Sequence, residues 1–198
     1  MINMDSIQYH NISEEEGEKC IRFAREALNK YIKEGQRLDV GSADEIFKKK
    51  GGVLIQLESE NGFKTLRGNG AIYDGRQISD AIIDAIIHAS SSRSIGSEVY
   101  KSELNDIIIK LSLIESVTLT NEPESILNID KHGLIVPSNN GVWLYPTKAS
   151  EHDWTPQEYI NRTYRSSRLN PNDFSKVAVV SVKSFREQNP HGKAIKDK

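Results

Sequence analysis

Val53-Leu54-Ile55-Gln56-Leu57, then Asn61-Gly62, then Phe63-Lys64-Thr65-Leu66-Arg67 is the stretch that decides the fold. The first run is apolar and β-branched, and Asn-Gly is the dipeptide that best accepts positive φ at both centres of a tight hairpin turn. The two runs therefore read as an antiparallel hairpin. Past Arg67 the chain continues Gly68-Asn69-Gly70-Ala71-Ile72-Tyr73-Asp74-Gly75, which reads as a glycine-rich turn whose backbone amides are free to meet a ligand. A lone arginine between a strand and such a turn is seldom placed for packing alone, so Arg67 is a site candidate.

Upstream, Ser13 followed by Glu14, Glu15 and Glu16 makes a capping box, and Ile21, Ala24, Leu28, Tyr31 and Ile32 recur at helical spacing. A helix from about Glu14 to Glu34 is expected, stopped by Gly35. Gln36 to Gly52, ending in Lys48-Lys49-Lys50, reads as a solvated loop.

Downstream, Ser79 is read as the cap of a helix carrying Ile82, Ile83, Ile86 and Ile87, closed by the serines from Ser90 to Ser94. Ile107, Ile109, Leu111 and Leu113 alternate with Lys110, Ser112 and Glu115, the pattern of a strand covering a helix on one face. Ile108 and Ile114 interrupt it. Pro123 to Leu127 reads as one helical turn. Gly133 to Val136 and Val142 to Tyr145 flank Ser138-Asn139-Asn140-Gly141 as a second hairpin, and Thr155, Pro156 and Glu158 start a helix reaching about Arg168. Val177 to Val182 is the last buried strand expected. With no βαβ alternation and no repeat, the fold class is α+β, a largely antiparallel sheet flanked by helices. The folded domain is expected over residues 1–185, with 186–198 a flexible polar tail.

The chain has 198 residues, 37% hydrophobic and 27% charged, with a formal charge of −2 and a pI near 6.2. That charge gives no overall pull toward phosphate backbones or anionic lipid, so a nucleic-acid role would need a local basic patch. Cys20 is the single cysteine, which excludes an intrachain disulfide and fits a reducing compartment. No signal-like or membrane-spanning apolar run is present, so a soluble, cytoplasmic protein is expected, and the sequons at Asn11 and Asn161 carry no glycosylation meaning. The five histidines lack paired ligand spacing, so no metal and no cofactor are expected. Gly68-Asn69-Gly70 lacks the third glycine of a dinucleotide fingerprint, and there is neither a phosphate loop nor a Gly-x-Ser-x-Gly elbow.

Leu66-Arg67-Gly68-Asn69-Gly70, then Lys131-His132-Gly133-Leu134, Leu144-Tyr145-Pro146 and Trp154 follow one another as the landmarks of a known family do. The chain resembles the AMMECR family from about Gly51 to Phe185. That family's hallmark is Leu-Arg-Gly-Cys-Ile-Gly, followed by a His-Gly-Leu turn before a hairpin. The resemblance implies a larger and a smaller subdomain with a cleft beside the motif, in a class of folds compared with nucleotide- and nucleic-acid-binding RAGNYA domains. Relatives fused to or encoded with MEMO-type and radical-SAM proteins imply a modification pathway, in which a non-enzymatic adaptor is one role. Here only Leu66, Arg67 and Gly68 keep the hallmark. Asn69 stands where the cysteine would be, and a carboxamide is not a nucleophile, so thiol chemistry is excluded at this position.

Arg67 either clamps a carboxylate or phosphate, helped by amides from Gly68 to Ala71, or pairs with an internal Asp or Glu to hold the subdomains together. Asn69, between two glycines, reads first as a turn residue and second as a ligand contact, with Gly70 beside it. His132 is either a general acid/base near the cleft or a ring that fixes its turn by bonding to backbone. Arg162, Arg165 and Arg168 form a basic stripe that suits a helix C-terminus or a nucleic-acid surface. The expected activity is binding of a small anionic or peptidic ligand near Arg67, Gly68, Asn69, Gly70 and His132. A nucleotide or nucleic-acid module is the alternative.

Overall fold

The computed structural model describes residues 5–41, 44–59, 65–72, 74–91, 98–136, 142–144, 149, 152–166, 176–190 and 194–196. Its elements are β1 (Asp5–Gln8), α1 (Glu14–Glu34), α2 (Glu45–Lys48), β2 (Gly52–Ser59), β3 (Thr65–Ile72), α3 (Ile78–Ser91), β4 (Ile107–Thr120), β5 (His132–Val136), β6 (Val142–Leu144), α4 (Pro156–Ser166), β7 (Val177–Glu187) and β8 (Ala194–Lys196). The registered strand pairs among the described residues are antiparallel, and the fold is α+β. The chain forms two compact units, the larger from His10–Ile114 with Lys183–Lys198 and the smaller from Met1–Tyr9 with Glu115–Val182. Strands β4 and β7 contribute residues to both.

In the larger unit α1 begins as its sequence dictates. Ser13 Oγ accepts the Glu16 amide at 3.1 Å and Glu16 returns the bond to the Ser13 amide at 2.9 Å. Gly35 ends the helix at φ 69, a left-handed conformation that glycine adopts without steric cost. Strands β3, β2 and β4 lie side by side, with Ile55 opposite Gly70 on one flank and Leu111 on the other. Because side chains alternate, Val53, Ile55, Leu57, Ile107, Ile109, Leu111 and Leu113 all point to one face, where they join Ile21, Leu28, Ile82 and Ile86 of α1 and α3 in the core. Such burial, about 25 cal/mol per Å² of apolar surface, is what holds the helices to the sheet.

Three local expectations are changed by tertiary packing. Ser79 lies inside α3 rather than capping it, and its hydroxyl donates to the Phe47 carbonyl at 3.2 Å. Within the stretch expected as a solvated loop, α2 buries Ile46 and Phe47, and Lys49 pairs with Glu16 at 2.6 Å. Where a polar tail is expected from Arg186 onward, β7 continues to Glu187 and β8 pairs with it, Phe185 opposite Lys196. The cause is a buried ion pair. Arg25 Nε donates to Glu187 Oε1 at 2.9 Å and its Nη2 to the other oxygen, while Nη2 also reaches the Ile107 carbonyl at 2.6 Å and the Ile109 amide donates to Glu187 at 2.8 Å.

In the smaller unit β5 pairs with β6 and β7, and β1 pairs with the end of β4. Leu134, Val136, Tyr159, Tyr164, Val177 and Val179 form its core. Helix α4 carries the expected cap, with Thr155 Oγ1 accepting the Glu158 amide at 3.2 Å and Glu158 accepting the Thr155 amide at 2.9 Å. Both expected hairpins are present as paired strands; their connecting turns, 60–64 and 137–141, and Arg168 lie outside the described residues.

Candidate functional site

The expected turn at Gly68-Asn69-Gly70 is a strand. Among the described residues the positive-φ positions are Gly35, Gly75 and Asp153, so neither Asn69 nor its glycine neighbours adopt a left-handed turn. The two glycines answer a different need. A Cβ on Gly68 or Gly70 would come under 3.0 Å from the carbonyl oxygen of Ala89 or Ala85 respectively, so β3 can lie against the backbone of α3 only without side chains there. Their Cα hydrogens face the helix. Asn69, between them, must face the opposite way.

Arg67 sits at a β-bulge: Leu57 pairs with Gly68 but Glu58 pairs with Leu66, which leaves Arg67 as the extra residue. Its guanidinium is re-aimed toward the segment after α3, where Nε donates to Glu103 Oε1 at 2.8 Å and Nη2 approaches the same oxygen at 2.7 Å. The second Glu103 oxygen accepts the Tyr100 amide at 2.9 Å. Both side chains are about three-quarters enclosed, and both belong to the larger unit. The arginine is thus in a charge pair inside one unit rather than between two.

The register places Asn69 opposite Gln56, and Gln56 opposite Lys110, in one row across β3, β2 and β4. Each of the three is flanked along its strand by residues that face the helices, so the row lies on the face away from α1 and α3. Gln56 is 7% exposed and Lys110 8%. Among the described residues the one buried side-chain polar atom without a partner is Asn29 Oδ1, so neither Gln56 nor Asn69 strands a polar atom. On the same face Ser112 and Ser184 hydroxyls meet at 2.7 Å, and Arg186 pairs with Glu58 at 3.2 Å. Gln56 and Lys110 escaped the sequence reading; the signal was a single polar residue inside each of two apolar runs.

His132, at the start of β5, lies in the smaller unit. Its Nδ1 accepts the Asn128 amide at 3.0 Å and its carbonyl accepts the Tyr159 hydroxyl at 3.3 Å, so the ring is bonded to the backbone of its own turn. Burial, aided by Lys131, holds its pKa below the ordinary value near 6.5. Arg162 stacks over Trp154, 4.4 Å from the ring centre, with His152 stacked on the same indole at 5.1 Å. A surface hollow of about 480 Å³ is lined by Arg37, Leu38, Asp39, Val40, Gln77 and Asp80, but Arg37 is held there by Asp80 at 2.8 Å and by Asp84. Among the described residues no three His, Cys, Asp or Glu side chains gather to hold a metal, and no helix is long and apolar enough to cross a membrane.

With this geometry in place, comparison with known proteins is specific. The AMMECR1 family model matches residues 21–189, and the chain belongs to that family. It is 32% identical to Protein VNG_2543C of Halobacterium salinarum over 167 residues, covering 80% of each chain. It is 29% identical to a protein of Methanococcoides burtonii, covering 91% of this chain and 94% of the other. In structure it is similar to the uncharacterized protein PH0010 of Pyrococcus horikoshii, with a TM-score of 0.84, 23% identity, and coverage of 94% and 98%, a likeness of fold.

Proposed function

We propose that this member of the AMMECR1 family binds a small anionic or peptidic ligand on the polar face of its larger unit, beside Arg67 and Asn69. The observation that carries the reading is the row Asn69, Gln56, Lys110, two carboxamides and a lysine side by side on neighbouring strands of one face. Lys110 supplies positive charge where water is scarce and Coulomb attraction is strong.

In this reading Arg67 and the glycines are positioning residues. Gly68 and Gly70 let α3 press on β3, which turns Asn69 outward, and the Arg67–Glu103 pair fixes the bulge at the strand's start. His132 belongs to its own turn in the smaller unit and takes no part. The setting is cytoplasmic; burial pushes the Cys20 thiol up to about 12, so it stays protonated and unreactive. The reading concerns binding, with no reaction assigned.

A thermal-melting screen of acetate, glutarate, inorganic phosphate and short peptides tests it. Some of these anions should raise the melting temperature, and Lys110→Met should remove the rise. A flat response to every probe in the wild type contradicts the proposal.

A further inference from the structure

We propose that the segment 121–131, which joins β4 to β5 in the smaller unit, is an acid-released flap: a proton on the His132 ring cancels the bond from the Asn128 amide, and the flap lifts from the core beneath it. The device is independent of the polar row on the larger unit.

The flap lies outside the sheet and is tied almost wholly to itself. The Glu122 amide donates to Thr120 Oγ1 at 3.0 Å and the Leu127 amide to the Pro123 carbonyl at 2.9 Å. Among the described residues, the hydrogen bonds of 122–131 all end between Thr120 and His132. Asn128 is the knot that joins the flap to the start of β5. The Lys131 and His132 amides donate to its carbonyl at 3.1 and 2.8 Å, the Asp130 amide to its Oδ1 at 3.0 Å, and its own amide to His132 Nδ1 at 3.0 Å. Beyond these bonds, Ile126, Leu127 and Ile129 pack, partly buried, on a core that includes Leu134 and Tyr159. Few contacts of this kind mark a segment that opens at lower free energy than the strands around it.

Nδ1 accepts an amide only through its lone pair, so the closed flap requires a neutral ring with its proton on Nε2. A second proton sets N–H against N–H and leaves the Asn128 amide to water. Burial acts most strongly against that proton. The Ile126 backbone carbonyl acts the other way, offering the protonated ring a new acceptor, and Lys131 again disfavours the charge. The other groups set about His132 are uncharged: Tyr159 of α4 donates to its carbonyl, and Ser181 of β7 lies opposite it. Among the described residues no carboxylate pairs with the ring, so Glu122, Glu124 and Asp130 of the flap do not hold the proton in place. The proton therefore exchanges one partner for another within the same turn. The flap is closed at neutral pH and opens as the pH falls below the ordinary histidine value near 6.5.

The test is amide hydrogen exchange on the full 198-residue chain between pH 7.5 and 5, with the His132 ring protons followed by NMR over the same range. Protection of the Asn128, Lys131 and His132 amides, corrected for the intrinsic pH dependence of exchange, should fall about tenfold or more toward the acid end. The amides of 133–136 and 177–180 should keep theirs. The fall should share its midpoint with the ring titration, which the wild type alone can decide. His132→Asn, whose carbonyl oxygen can take the Asn128 amide but cannot titrate, should abolish the pH dependence. A ring that titrates while the Asn128 amide stays protected overturns the proposal. So does an equal loss of protection in the strands, which would mean that the whole unit unfolds with no separate flap.

Discussion

Gly70 of β3 faces the carbonyl oxygen of Ala85 in α3 at a distance that admits no side chain: a Cβ added there would lie under 3.0 Å from that oxygen. The contact is backbone on backbone and cannot relax by a rotamer change. Gly70→Ala must push strand and helix apart, at a cost of about 1–3 kcal/mol or more. Asn69→Ala, one residue away on the other face, should stay within about 0.5 kcal/mol. Urea unfolding of the two variants checks the contrast. Equal losses would mean that β3 presents its faces differently.

Arg67 and Glu103 are partly exposed and lie within one unit. A pair of this kind contributes about 1 kcal/mol or less, because water competes for both charges. Arg67→Ala should leave a folded protein with a slightly lower melting temperature. A double-mutant cycle with Glu103→Gln should return a coupling of about 0.5–1 kcal/mol. Coupling near zero would show that the guanidinium has other work.

Arg25 and Glu187 differ from that pair by their burial, 7% and 1% exposed. Removing one partner leaves the other charged and out of water. Arg25→Met should therefore cost about 3–5 kcal/mol, and replacing both, Arg25→Met with Glu187→Leu, should recover much of the loss. Melting curves of the single and double variants decide it; a double variant as unstable as the single one contradicts the assignment of the cost to a stranded charge.

His132 should make stability depend on pH. Its folded pKa is depressed by burial below the unfolded value near 6.5, so the unfolded chain binds the proton more readily. The contribution of the neutral ring is full above 6.5 and is lost as pH falls through that value toward the lower folded pKa. Protonation would also break the bond from the Asn128 amide to Nδ1. Denaturant melts at pH 7.5 and 5.5 should show lower stability at the acid end, with the difference reduced in His132→Asn. An unchanged difference in that variant assigns the pH dependence to other groups.

Elements whose signals are local were legible in the sequence. Ser13 and Glu16 fix the start of α1 through neighbours three residues apart, Gly35 ends it, and Thr155 with Glu158 does the same for α4. Features whose reason lies far along the chain were not. Gly68 and Gly70 look like turn residues because a sequence shows that glycine is permissive but not what approaches it; the helix that does so begins at Ile78. Arg186 and Glu187 look like a solvated tail because the group that keeps Glu187 buried, Arg25, lies 162 residues earlier. The site was legible at Asn69 alone among the row, since Gln56 and Lys110 acquire meaning only when the register sets them side by side.

The most direct test of the central claim is the rise in melting temperature that acetate, glutarate and inorganic phosphate give in the wild type and in Lys110→Met. If the polar row is a binding face, at least one of these anions should raise the melting temperature of the wild type by about 2–4 °C and leave that of Lys110→Met unmoved. No rise in the wild type, or an equal rise in both proteins, would contradict the account.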